Sequence, residues 1–122
     1  GCQYCAAHTG ENTVISDMAP EKIKAVWEYE TSPLFSDADR IVLRIAQCVA
    51  QVPNAVTDED FAELRQYRAD DQGGEIIAAI STFGVFKRWN DTLATELESS
   101  PLQFASENLA DAGWNVGKHA AD

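Results

Sequence analysis

Apolar residues recur every three to four positions along almost the whole chain, and alternating apolar and polar runs typical of half-buried strands are missing. The clearest stretch covers residues 38–52, where apolar side chains return at the positions that form one helix face. Its members are Ala38, Ile41, Val42, Ile45, Val49 and Val52. The pattern predicts an all-α fold.

Helix starts are marked by short polar signals. Ser36 with Asp39, and Thr57 with Asp60, have the spacing of a capping box in which an aspartate takes the place of glutamate. Pro20 suits the first turn of a short helix, because the missing N–H of proline is not needed there. These positions predict where three of the helices begin.

Residues 76–86 form the most apolar segment of the chain. Apolar side chains fall on nearly all sides of a helix drawn through this segment, including Ile76, Ile80, Phe83 and Phe86. A helix that is apolar all round is normally buried. The sequence therefore predicts a central, buried helix here.

Length and charge narrow the function classes. The 122 residues, 45% of them apolar, suit one compact domain over residues 1–122. A net charge of −11 disfavours nucleic acid and anionic membrane surfaces as partners, and no apolar run approaches the roughly 18–20 residues that span a bilayer. The cysteines are three, an odd number, with two close together and the third far away; this is not the pattern of a secreted disulfide scaffold and fits a reducing, cytoplasmic setting.

Two of the cysteines point to thiol chemistry. Cys2 and Cys5 are three residues apart, so they share one face of a helix and are close enough for a disulfide. A helix N-terminus and a nearby imidazolium both favour the reactive thiolate. His8 follows one turn later, where it could take the proton of Cys5 or pair with its thiolate. This spacing predicts that His8 lowers the pKa of the neighbouring thiol.

Less reactive interpretations stay open at this point. Cys2, Cys5 and His8 could be three zinc ligands, although a structural zinc site needs four, or the motif could be inert. We expect no metal and no cofactor. Cys48 is interpreted as a small buried residue. His119, near the chain end, is interpreted as a surface residue, with a contact to a partner subunit as the alternative.

Three further residues are candidates for the site or a subunit interface. Tyr4 is expected to pack with its hydroxyl on a polar partner. Arg88 and Asn90 belong to a polar cluster straight after the apolar segment, where they form either a solvated helix end or part of the thiol site or interface.

Residues 2–9, CQYCAAHT, resemble the redox signature of the carboxymuconolactone decarboxylase/alkylhydroperoxidase (AhpD-like) superfamily. Later segments resemble its peroxidase-related branch. They are residues 29–36 (YETSPLFS), 52–57 (VPNAVT), 88–92 (RWNDT), 113–114 (GW) and 117–119 (GKH). The resemblance extends in order over essentially the whole chain.

The resemblance implies an AhpD-like helical fold that assembles into oligomers. It implies a dithiol, Cys2 and Cys5, that works with His8 as base. In AhpD proteins a glutamate before the cysteine pair completes a proton relay. Only Gly1 precedes Cys2, and there is no initiator Met, so we interpret the domain as N-terminally truncated. Tyr4 also replaces a second histidine of the AhpD pattern, and His8 follows Cys5 by three positions where AhpD has four.

We therefore expect a homo-oligomer that reduces a small-molecule peroxide or a thiol/disulfide partner, with Cys5 facing the peroxide and Cys2 resolving. Trp27, Phe104 and Trp114 are expected near the subunit interface. Two alternatives remain: a carboxymuconolactone decarboxylase-type enzyme that works without the thiols, and a truncated, non-catalytic oligomer-forming protein.

Overall fold

All regular structure in the computed structural model, which describes residues 2–121, is helical. The six α-helices are α1 Gln3–Ile15, α2 Pro20–Lys24, α3 Asp37–Val49, α4 Asp58–Leu64, α5 Asp70–Leu93 and α6 Ser99–Asn108. Short 3-10 turns cover Val26–Glu28, Ala110–Ala112 and Gly117–His119. The predicted all-α fold is confirmed. None of the helices in the described range is both long and apolar enough to cross a membrane.

The chain divides into two compact units, and the boundary falls within α5. The terminal unit combines the residues up to Trp27 with those from Val85 onward, and the middle unit is Glu28–Gly84. One domain over the whole chain stays a prediction.

The middle unit is organised by two capped helices. Ser36 begins α3 and Thr57 begins α4, and in both cases the reciprocal hydrogen bonds of a capping box with Asp39 and Asp60 are present. Arg44 on α3 then reaches Asp60 at 2.8 Å and Glu63 at 2.7 Å on α4. The core of this unit contains the buried residues Ile41 and Ile45 of α3 and Leu64 of α4.

The terminal unit is built around α1 and α6. Its core contains the buried residues Ala7, Leu97 and Ala105, with six partly buried apolar side chains around them: Tyr4, Leu102, Phe104, Leu109, Trp114 and Val116. Gly10 allows the two helices to approach closely, because a Cβ atom there would lie 2.7 Å from the ring of Phe104. Phe104 and Trp114 therefore pack within their own chain while staying partly exposed, and their position near a subunit interface stays a prediction.

The helix predicted to be central and buried differs most from expectation. α5 spans 24 residues and contains no buried residue. Its first half packs three isoleucines against the core of the middle unit. In its second half, Val85, Trp89 and Leu93 are 61%, 66% and 62% exposed. The prediction of burial is therefore wrong, because an all-round apolar pattern does not show which parts of a helix a neighbour covers.

Candidate thiol site

The Cys2 sulfur lies at the start of α1. Cys2 is the N-cap residue, and its Sγ atom accepts a hydrogen bond from the backbone N–H of Cys5 at 3.3 Å. N–H groups at a helix start carry partial positive charge and stabilise an anion placed on them. Of the two thiols, the Cys2 sulfur is thus the one that a helix-start N–H contacts. Cys2, Cys5 and Cys48 are free thiols in this structure, and Cys48 belongs to the middle unit.

The surroundings of Cys5 disfavour the thiolate form of its side chain. Burial, followed by the hydrogen bond and charge of Cys2, raises the pKa of Cys5 to about 12. A side-chain hydrogen bond from Asn90 and the charge of Lys87 lower this pKa but do not outweigh the other effects. His8 is not among these main causes, so the expectation that it lowers the pKa of a neighbouring thiol stays a prediction.

His8 is paired with a carboxylate instead. Its Nε2 atom donates to Oε2 of Glu98 at 2.7 Å, and the Tyr4 hydroxyl donates to the other oxygen of Glu98 at 3.2 Å. The Tyr4 and His8 rings lie 4.4 Å apart. Hydrogen bonding from the backbone, and then from His8, lowers the pKa of Glu98, so it stays an anion that accepts both bonds. Burial is the main cause that raises the pKa of Tyr4, and Glu98 adds to it.

Glu98 was not identified from the sequence. The resemblance pointed to a missing glutamate before Cys2, whereas this carboxylate precedes α6, 90 residues after His8. No local signal distinguishes it among the 20 aspartates and glutamates of the chain. Only the packing of α1 against α6 brings it to the histidine.

His119 is a second residue that sequence reasoning misplaced. It was expected at the surface, but it is 1% exposed. Its Nδ1 atom bonds the Thr95 carbonyl at 2.8 Å, and its backbone carbonyl accepts the N–H of Leu97 at 2.9 Å. The one available signal was the GKH string at residues 117–119 that belongs to the resemblance.

His119 lies beside Cys2. One donor atom each from Cys2, Asp91 and His119 lie within 4.8 Å of one another. Thiolate, imidazole and carboxylate together suit Zn²⁺. The Lys118 ammonium, however, lies 3.1 Å from Oδ1 of Asp91 and already neutralises that carboxylate. Three ligands are also one fewer than a structural zinc site uses. The cluster therefore fits proton transfer better than metal binding.

The two remaining candidate residues, Asn90 and Arg88, both lie on α5 but belong to different surroundings. Asn90 lies close enough to the Cys5 thiol to lower its pKa and accepts a hydrogen bond from the Thr95 hydroxyl at 2.9 Å, so it lines the thiol site. Arg88 lines a shallow apolar groove on α5 with Val85, Trp89, Thr92 and Leu93.

Comparisons with known proteins agree with the fold. No family model matches the chain. The uncharacterized protein YnjA of Escherichia coli (strain K12) is 26% identical over 92 residues, which are 75% of this chain and 50% of YnjA.

Two crystal structures of the debrominase Bmp8 superimpose on the chain. A cysteine-to-alanine variant in complex with 2,3,4-tribromopyrrole gives a TM-score of 0.80 at 28% identity, and the apo protein gives 0.79 at 29%. Each match covers 88% of this chain and 57% of the Bmp8 chain. The chain is thus similar in fold to a debrominase, and it spans little more than half the length of these relatives.

Proposed function

We propose that this chain is a thiol-dependent oxidoreductase of the AhpD-like superfamily that reduces a small peroxide with the Cys2–Cys5 dithiol. The observation that supports it is the contrast between the two thiols. The sulfur of Cys2 accepts a backbone N–H at the start of α1, whereas the Cys5 pKa is raised to about 12. A nucleophile must be a thiolate, so the earlier assignment is reversed: Cys2 attacks and Cys5 resolves.

The reaction balances with these two residues. The Cys2 thiolate attacks one peroxide oxygen, the O–O bond breaks, and the leaving alkoxide takes a proton to become an alcohol. Cys2 is then a sulfenic acid. The Cys5 sulfur attacks it, its proton leaves with the hydroxyl group as water, and a disulfide forms. A thiol reductant restores the dithiol in a reducing compartment such as the cytoplasm.

His8 is assigned to the second step, in which the disulfide forms. Burial, the main cause of the raised pKa of Cys5, remains once Cys2 is oxidised, but the charge of Cys2 no longer adds to it. His8 lies one helical turn beyond Cys5 and is oriented by Glu98. We assign this pair to the removal of the Cys5 proton during disulfide formation.

A second candidate substrate is a halogenated aromatic ring, because Bmp8 is a debrominase. The same dithiol would supply the two electrons: the C–Br bond becomes C–H, bromide and a proton are released, and the two thiols become a disulfide. Both substrates therefore leave the same protein product.

The test uses the Cys48→Ser variant, so that only the dithiol can react. Reduced protein is mixed with an alkyl hydroperoxide or with 2,3,4-tribromopyrrole, and remaining thiols, the disulfide peptide and released bromide are measured. We expect loss of both thiols, a Cys2–Cys5 disulfide, and turnover when a dithiol reductant is added. Cys2→Ser should abolish the reaction, and Cys5→Ser should stop it at one oxidised sulfur. Turnover that survives Cys2→Ser would contradict the proposal and favour thiol-independent, decarboxylase-type chemistry.

A further inference from the structure

We propose that His119 is the proton acceptor for Cys2, so that a buried Cys2–His119 pair generates the attacking thiolate. This inference rests on the proposed function only in taking Cys2 as the attacking thiol. The tautomer of His119 is the first step. A carbonyl oxygen can only accept, so the 2.8 Å contact with Thr95 requires a hydrogen on Nδ1. In the neutral ring the lone pair is then on Nε2.

The environment of Nε2 is the second step. Among the residues that the structure describes, this atom is buried and has no hydrogen-bond partner. A buried polar atom without a partner costs free energy and calls for an explanation. Cys2 offers an explanation: it is itself only 5% exposed, and its sulfur lies within 4.8 Å of a ring nitrogen of His119, although no hydrogen bond joins the two in this structure. The orphan acceptor therefore lies next to a thiol that can give up a proton.

The step itself needs no further reactant. The S–H bond of Cys2 breaks, an N–H bond forms at Nε2 of His119, and the sulfur keeps the electron pair. The new thiolate is stabilised by the Cys5 N–H at 3.3 Å. Asp91 lies 3.9 Å from Nε2 and faces the new imidazolium, and it is shared with Lys118 at 3.1 Å.

The groups that face His119 come from several elements. They are Cys2 and Tyr4 at the start of α1, Asp91 on α5, the Thr95 carbonyl after α5 and Lys118 in the last 3-10 turn. The Tyr4 ring lies 5.9 Å from the imidazole and is closer to His8. The two histidines thus serve different thiols: His8 is occupied by Glu98, whereas His119 keeps a free nitrogen beside Cys2.

The experiment measures the alkylation rate of Cys2 against pH in the Cys48→Ser background, with a chelator present. We expect His119→Gln to slow alkylation about tenfold near neutral pH, the effect of a one-unit rise in the titration midpoint. The rate should recover at alkaline pH, where solvent removes the proton. A merely structural role would not give this recovery. Leu97→Ala is the matched control, because it loosens the same core without removing a base, and it should leave the midpoint unchanged.

A second measurement covers the case in which His119→Gln does not fold. In the Cys48→Ser protein with His119 otherwise intact, ¹⁵N NMR should show a protonated Nδ1 and an Nε2 whose signal shifts as Cys2 ionises. An unchanged Cys2 profile in folded His119→Gln, or an Nε2 that does not respond to Cys2, would overturn the assignment. The peroxide test reports separately on the proposed function, since Cys2 can be oxidised whether or not His119 is its base.

Discussion

Cys2 and Cys5 lie one helical turn apart, yet their thiols have different electrostatic environments. Cys2 caps the helix and accepts a backbone N–H. Burial is the main cause of the raised pKa of Cys5, and the hydrogen bond and charge of the neighbouring Cys2 add to it. This difference suits a two-step reduction in which Cys2 reacts first and the buried Cys5 follows.

Cys5 should therefore react slowly with alkylating reagents at ordinary pH. With its pKa raised to about 12, its rate is expected to keep rising through about pH 10 and 11, whereas an ordinary cysteine levels off within about a unit or two of pH 8.5. The measurement is iodoacetamide labelling of Cys48→Ser protein over this pH range, with tandem mass spectrometry to separate Cys5 from Cys2.

Cys2→Ser provides the matched control. It removes the charge of Cys2 but leaves the burial of Cys5, which is the larger cause. The titration midpoint of Cys5 should therefore fall only part of the way to the ordinary value. A plateau in Cys5 labelling below about pH 10 in the Cys2-containing protein would contradict the raised pKa.

Local spacing explains which site residues could be predicted. Cys2, Cys5 and His8 lie within two turns of one helix, so a sequence pattern is enough to place them together. Glu98 and His119 reach the same region only because α6 and the last turn pack against α1. No pattern in the neighbouring residues encodes that contact, so the carboxylate partner and the proposed base of Cys2 were missed.

Helix starts were predictable for a similar reason. A capping box involves a side chain and a backbone group three residues apart, so Ser36–Asp39 and Thr57–Asp60 specify the start of α3 and α4 without help from the rest of the chain. α1 is different. It contains Gly10 and several β-branched residues that weaken a helix, and its contacts with α6 and with Trp114 stabilise it.

Gly10 allows that contact to be tested. Gly10→Ala should gain about 1 kcal/mol of helix propensity, but the new Cβ would lie 2.7 Å from the Phe104 ring, and overpacking a core costs about 1–3 kcal/mol. We expect the clash to win, so the free energy of unfolding in urea should fall. The same variant should also change the alkylation rate of Cys2, because α1 carries that thiol.

Gly74→Ala is the control for this prediction. Gly74 also lies inside a helix, α5, but a Cβ there meets nothing within 4 Å. Its propensity gain should therefore appear undiminished, as an increase of about 0.5–1 kcal/mol in the free energy of unfolding. If both alanine variants stabilise the protein equally, the close approach of α1 and α6 at Gly10 is not what determines the choice of glycine.

The sequence predicted the helix α5 but not how much of it is buried. Its composition identifies an apolar helix correctly, and Asp70–Leu93 is helical throughout. Burial, however, depends on which other surfaces are present to cover each face. The isoleucines of its first half find a core in the middle unit, whereas the second half presents Val85, Trp89 and Leu93 to solvent. The helix could therefore be predicted from the sequence, but the burial of each of its faces could not.

That exposed segment leads us to expect self-association of the 122-residue chain. Val85, Trp89 and Leu93 are spaced four residues apart, so they form one stripe, and each is more than 60% exposed. Contiguous apolar surface of this kind is unusual on a soluble monomer and normally marks an interface. A second copy can cover it with two-fold symmetry. The net charge of −11 opposes association, but physiological salt screens that repulsion beyond about 8 Å.

Light scattering at low micromolar concentration and physiological salt should therefore give at least twice the mass of one chain. Trp89→Glu places a charge in the centre of the stripe. It should shift the protein toward monomer with little loss of fold, because Trp89 is 66% exposed and contributes little to the core of its own chain. Trp27 was also expected near the interface, but it lies outside the α5 stripe and is 75% exposed, so Trp27→Glu should leave the mass unchanged if the stripe is the interface. A single-chain mass that persists with cooperative unfolding would mean that the stripe is tolerated in water, and a loss of association in both variants would place the interface elsewhere than on α5.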